Sequence, residues 1–189
     1  MTAFTKRDRS DTFFGATVQQ VWSAFYWFER IVREHRVGSM LELGTGLGAT
    51  TMFFGGLFPD HVITYDIADK RTDRVKDMHR RLGVDVRLFD LFAGHALVSL
   101  HTDLESNRFE NRPALIFCDG GDKHREFNLF SGLLQEGDLI ACHDTGVEFF
   151  PDRSDARSTE EASGLVRLYP AELRADNTLL TVYVRPARW

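Results

Sequence analysis

A basic excess is missing from this sequence, and its absence is the first constraint on function. The 189-residue chain carries 23 lysines and arginines against 28 aspartates and glutamates, a formal net charge of -5. No basic surface for nucleic acid is implied. Charges of both signs are mixed along the chain rather than blocked, as on an ordinary solvated surface. Cysteines number two, Cys118 and Cys142, too few to suggest a disulfide framework. Each ends an apolar run, and the pair reads as small buried thiols in neighbouring strands rather than as nucleophiles. The N-terminal stretch MTAFTKRDRSDTFF lacks the apolar core of a signal peptide, and no apolar run is long enough to span a bilayer. The expectation is a cytoplasmic protein without membrane contact. Repeats and low-complexity segments are also missing. With 43% hydrophobic residues, the chain can bury one good core, so a single domain with a terminal extension is expected.

What is present is alternation. Val18, Val21, Trp22, Phe25, Phe28 and Val32 recur at helical spacing, which predicts a helix from Thr17 to about His35, stopped by Gly38. Tyr26, Trp27 and Ile31 widen its apolar stripe, so a homodimer contact is one expected use of it. Five short apolar runs follow: Ser39 to Gly44, Val62 to Asp66, a run ending at Asp90, one starting after Pro113, and one following Gly137. Helix-length segments lie between them, at Ala49 to Leu57, Lys70 to Leu82, Phe92 to Leu104 and Lys123 to Leu134. This pattern is that of a parallel sheet with helices on both faces. LVRLYPAEL and TLLTVYVRP read as two strands at one sheet edge, joined by a turn near Asp176 and Asn177, the last antiparallel. Pro151 to Gly164 reads as a loop or a loosely held helix.

The turn after the first strand, LELGTGLGAT, places Gly44, Thr45, Gly46 and Gly48 between a strand and a helix. Such a turn brings backbone amides and a helix N-terminus to a ligand. Glu42, two residues earlier, suits a ligand with a cationic amino group and a sulfonium better than a pyrophosphate. Gly44, Gly46 and Ala49 meet a dinucleotide fingerprint loosely, so NAD stays open at this point. Asp66 ends the second strand, 22 residues after Gly44, where a carboxylate can accept from ribose hydroxyls. Asp90 ends the third strand; turn initiation is the competing role for it.

Two further strand ends carry polar groups. IFCDGGDKHREF ends an apolar run in Asp119, and ACHDTG ends another in His143 and Asp144. In an open α/β sheet, ligands bind beyond the carboxyl ends of strands, so Asp119, His143 and Asp144 can converge there if their strands are neighbours. Asp122 fits a helix N-cap. His124 then faces solvent from the first helical turn, and Lys123 reads as a solvated surface lysine. Phe149 and Phe150 line an acceptor pocket or pack the loop.

The Glu-x-Gly-x-Gly-x-Gly spacing resembles motif I of class I S-adenosylmethionine-dependent methyltransferases. CDGGDKHREFNLFSGLLQEGDLIACHDTG is similar to the corresponding stretch of small-molecule O-methyltransferases of the macrocin O-methyltransferase and cephalosporin hydroxylase type, over about residues 19–146. The resemblance implies a Rossmann-like, doubly wound α/β fold, with a mostly parallel seven-stranded sheet, an antiparallel last strand and helices on both faces. Residues 1–36 would be an N-terminal helical segment able to act as a lid, and 37–189 the methyltransferase domain. It implies S-adenosylmethionine on Glu42, Gly44, Thr45, Gly46, Gly48, Asp66, Asp90 and Asp119. It implies catalysis by Asp119, His143 and Asp144, which by position would also hold a divalent cation. Imidazole at 143 departs from an all-oxygen site and leaves two options, a cation other than Mg²⁺, such as Mn²⁺, or a histidine base without metal. The acceptor would be a small-molecule hydroxyl. The rivals are an NAD(P)-binding oxidoreductase, for which no Tyr-x-x-x-Lys pair is found, and a non-catalytic S-adenosylmethionine-binding protein.

Overall fold

The computed structural model describes residues 11–105 and 113–187. Two short strands come first, β1 (Thr12–Phe13) and β2 (Ala16–Thr17), paired antiparallel. Phe14 and Gly15 between them both have positive φ, as a two-residue hairpin turn of primed type requires. Helix α1 spans Trp22–Glu34, so it starts five residues later than its periodicity predicts. The physical reason is that Thr17 is in the hairpin, while Gln19 and Gln20 give their side chains to other segments. Gly38 does not stop this helix either. It ends at Glu34, and Arg36 takes the left-handed conformation at φ 53°.

The rest alternates as expected: β3 (Ser39–Leu43), α2 (Ala49–Leu57), β4 (Val62–Asp66), α3 (Asp73–Arg81), β5 (Asp85–Leu88), α4 (Gly94–Glu105), β6 (Ala114–Cys118), α5 (Lys123–Phe130) and β7 (Leu139–Cys142). Helix α5 gives way to a 3-10 turn, Ser131–Leu133, where the Ser131 hydroxyl donates to the Phe127 carbonyl. The polar stretch after β7 contains a regular helix, α6 (Ser154–Ser163), closed by Gly164 at φ 62°. The expected single strand LVRLYPAEL divides into β8 (Val166–Leu168) and a helix, α7 (Pro170–Ala175). Pro170 is the missed signal: it favours the first helical turn, where its absent N–H costs nothing. Strand β9 (Thr181–Val184) completes the sheet.

Seven strands lie in the order β5-β4-β3-β6-β7-β9-β8, with β9 antiparallel to both neighbours and the others parallel. Strands β3, β4, β6 and β7 are buried on both faces, which explains their near-continuous apolar sequence. One face packs Leu41, Leu43, Ile116 and Ile140 against Phe127 and Phe130 of α5. The other packs Met40, Leu115, Phe117 and Leu139 against Trp27, Phe28 and Ile31 of α1. Trp27, Phe28 and Ile31 of α1 thus pack on the chain's own sheet and Phe25 packs with Ala49 and Met52 of α2, while Tyr26 is exposed. No described helix is long and apolar enough to cross a membrane.

Register sets up the site. Leu43, Cys118 and Cys142 are Cα partners across β3, β6 and β7. The next residue on each strand, Gly44, Asp119 and His143, therefore falls on one edge, at the crossover where strand order reverses. Cys118 and Cys142 are the buried neighbours expected, and burial raises the Cys118 thiol well above its ordinary pKa.

Candidate active site

A cavity of about 620 Å³ opens at this edge, within the range of small-molecule sites. Its floor is the glycine turn. Gly44, Gly46 and Gly48 all have positive φ. At Gly44 (φ 104°) a side chain would run into the Asp119 backbone carbonyl and approach Gly120 N to 2.9 Å, so only glycine lets these two strand ends meet. The Gly44 and Thr45 amides donate to the Tyr65 carbonyl, and the Gly46 amide donates to Asp66 Oδ2 at 2.8 Å. Asp66 Oδ1 accepts from Ala68 N, leaving Asp66 on the cavity wall. Asp90 also lines the cavity and caps its own turn by accepting from Phe92 N at 2.8 Å.

Glu42 stands beneath the turn, not on the cavity wall. It points to the α2 face, where its Oε2 accepts from the hydroxyls of Thr51 and Thr64. Thr64 in turn bonds the Thr45 hydroxyl at 2.8 Å, so the carboxyl reaches the turn through two hydroxyls. Complete burial pushes Glu42 up to about 8, against the pull of the two threonines. Glu42 Oε1 has no hydrogen-bond partner.

The wall beside the turn is built from charges. His143 is 2% exposed, with Nδ1 2.9 Å from Asp119 Oδ1 and 3.4 Å from Asp144 Oδ1. Burial works against its charge, but the two carboxylates outweigh burial and raise it to about 9. Asp144 is lowered to about 2, chiefly by its bond with His143, with Lys123 adding to the effect. Its φ is 53°, a conformation that aspartate tolerates better than most residues. Its carbonyl accepts from Val147, Glu148 and Phe149, which winds the following loop around it.

Several residues that hold the site together were not singled out by sequence. Gln20 Nε2 donates to Asp119 Oδ2 at 2.5 Å, and Gln19 Oε1 accepts from Leu47 N at 3.4 Å. The segment before α1 thus closes on both the glycine turn and Asp119. Helical periodicity concealed it, because the apolar spacing continues through residues that are extended. His79 supports the turn from below, with Nε2 3.0 Å from the Gly48 carbonyl. Glu126 accepts from the amides of Gly120 and Asp122, and burial pushes it up to about 7 despite them.

Asp122 is the α5 N-cap, accepting from Arg125 N at 3.0 Å. Two expectations beside it are corrected. Lys123 is not a solvated lysine: its side chain is 4% exposed, because Nζ turns inward to Glu148 (2.5 Å) and Asp144 (3.3 Å). His124 does not face solvent; it is buried, accepts from Phe150 N at 3.1 Å, and stacks on the Phe150 ring. Phe149 is core, while Phe150 lines a separate cavity of about 400 Å³.

No protein-family model matches this sequence, and no curated protein does. Solved structures do match in three dimensions. cmcI with S-adenosylhomocysteine superposes with a TM-score of 0.65 at 16% identity, covering 95% of this chain and 84% of that one. A cmcI structure with Mg and S-adenosylmethionine gives 0.64 at 18% identity, covering 95% and 78%. The O-methyltransferase TomG from Streptomyces achromogenes, in complex with S-adenosylmethionine, gives 0.56 at 13% identity, covering 87% and 80%. At these identities the likeness is one of fold: the chain has the Rossmann-like fold of these methyltransferases.

Proposed function

We propose that this protein is an S-adenosylmethionine-dependent methyltransferase acting on a hydroxyl group of a small molecule, of sugar or natural-product type. The observation that carries the reading is a juxtaposition. One cavity holds the glycine turn with Asp66, and directly beside it Asp119, His143 and Asp144. Solved structures of the same fold support it, since cmcI and TomG bind S-adenosylmethionine or its product, and TomG is involved in tomaymycin synthesis.

In this reading Asp66 accepts from the ribose hydroxyls, and Asp90 borders the adenine. Gly44, Thr45, Gly46 and Gly48 form the floor under the methionine portion. Glu42 supports that floor from beneath, through the Thr64 and Thr45 hydroxyls. The acceptor hydroxyl lies against Asp144, oriented for in-line attack. Its oxygen forms a bond to the methyl carbon as the carbon–sulfur bond breaks, and that electron pair stays on sulfur, giving S-adenosylhomocysteine. The hydroxyl proton passes to the Asp144 carboxylate. A weak base is enough, because the oxygen becomes strongly acidic as it gains the methyl group. His143 bridges Asp119 and Asp144 and keeps them in place.

Asp119, His143 and Asp144 are of the donor types that hold a divalent cation elsewhere. Their ligand atoms lie within 4.8 Å of one another and offer two hard oxygens and an imidazole nitrogen. A cation held there would lower the pKa of a hydroxyl bound to it.

Calorimetry with S-adenosylmethionine, S-adenosylhomocysteine and NAD tests the proposal. Binding of both sulfur ligands is expected. Binding of NAD alone would sink it.

A further inference from the structure

The sequence offers Lys123 as an ordinary helix-start residue, but the fold buries it at the centre of the site. It is the first residue of α5, and its side chain folds back into the cavity with 4% exposure. There Nζ meets carboxylates from three segments: Asp119 Oδ1 at 4.0 Å, Asp144 Oδ2 at 3.3 Å and Glu148 Oε2 at 2.5 Å. It also donates to the Gly120 carbonyl at 3.1 Å. Burying an ammonium is costly unless it is paired, and here it is paired on every side. An ammonium is a compact point charge with donors that rotate freely, so it resembles a small ion more than a guanidinium does.

Asp119 and Asp144 are two of the three residues suited to a divalent cation. A dication between them would stand against a fixed positive charge already close to the same carboxylates. The third donor, His143, offers a nitrogen in place of an anionic oxygen, so it adds no negative charge to attract one.

We propose that Lys123 is the site's own cation: its ammonium fills the electrostatic place of a divalent ion between Asp119 and Asp144, so the site works without bound metal. Lys123 is then a positioning residue. It fixes the Asp144 carboxylate for the acceptor and ties down the loop carrying Glu148. This rests on Asp119, His143 and Asp144 being the reacting centre, but its test needs no methyl transfer.

The probe is Mn²⁺ alone, titrated into the folded full-length chain while the spin-resonance signal of free Mn²⁺ is followed. Wild type and Lys123→Arg should leave the signal unchanged. Lys123→Met, similar in length and uncharged, should bind Mn²⁺ roughly tenfold more tightly or better, the equivalent of removing one unfavourable like-charge contact. Adding Asp144→Asn to it should abolish that gain. Stoichiometric Mn²⁺ binding by wild type overturns the proposal, and this outcome is readable even if Lys123→Met does not fold. A folded Lys123→Met that still ignores Mn²⁺ overturns it as well. Failure of S-adenosylmethionine to bind would count against the methyltransferase reading and leave the Mn²⁺ result to stand by itself.

Discussion

The two sides of the cavity are made of different materials. The side under the glycine turn is backbone: Gly44, Gly46 and Gly48 at positive φ, with amides tied to Tyr65 and Asp66. The side beyond β6 and β7 is charge: three carboxylates, a lysine and an imidazole gathered from four stretches of chain. A backbone-built surface fails through sterics and takes the local fold with it. A charge-built surface can lose one group and keep its shape. The two sides should therefore answer substitution differently.

The largest effect is expected on the backbone side. Gly44→Val would combine a left-handed φ with a clash against the Asp119 carbonyl. It should cost about 3 kcal/mol of stability and take S-adenosylmethionine binding below detection by calorimetry. On the charged side, Asp144→Asn suits the left-handed backbone equally well. It should leave S-adenosylmethionine affinity within about threefold of wild type, yet lower transfer to an accepted hydroxyl by about 10²- to 10⁴-fold. A Gly44→Val protein that binds normally, or an Asp144→Asn protein that transfers normally, breaks the comparison on that side.

The same difference explains what could be read from sequence. The glycine turn was legible because glycine at fixed spacing between a strand and a helix has few other uses. The strand ends were legible because β6 and β7 are short apolar runs that stop at a polar residue, and register then brings Asp119 beside His143. Lys123 and His124 were misread because a sequence shows a residue's place on its own helix, not what packs over that helix. The loop after β7 covers α5, with Glu148 reaching Lys123 and Phe150 reaching His124. Gln19 and Gln20 were hidden for a related reason: apolar spacing cannot tell a helix from the extended approach to one.

Glu42 belongs to neither side, since it acts on the turn through Thr64 and Thr45, and it offers the subtlest test. Burial raises its folded-state pKa to about 8 from 4.5. A raised pKa means the folded protein holds a proton that the unfolded chain gives up between those two values. The stability linked to that proton is complete below pH 4.5 and is lost as pH rises through 8, at a slope of at most about 1.4 kcal/mol per pH unit. Glu126, raised to about 7, and His143, raised to about 9, push in the same direction. From about pH 6.5, above the range in which His35, His79 and His124, lowered by burial, work the other way, melting temperature should accordingly fall to pH 9. In Glu42→Gln one of the three contributions disappears, so the fall should be shallower, with the variant more stable than wild type at pH 8.5. Parallel melting curves for the two proteins across that range would mean that Glu42 stays ionised in the fold, with its charge satisfied inside the protein.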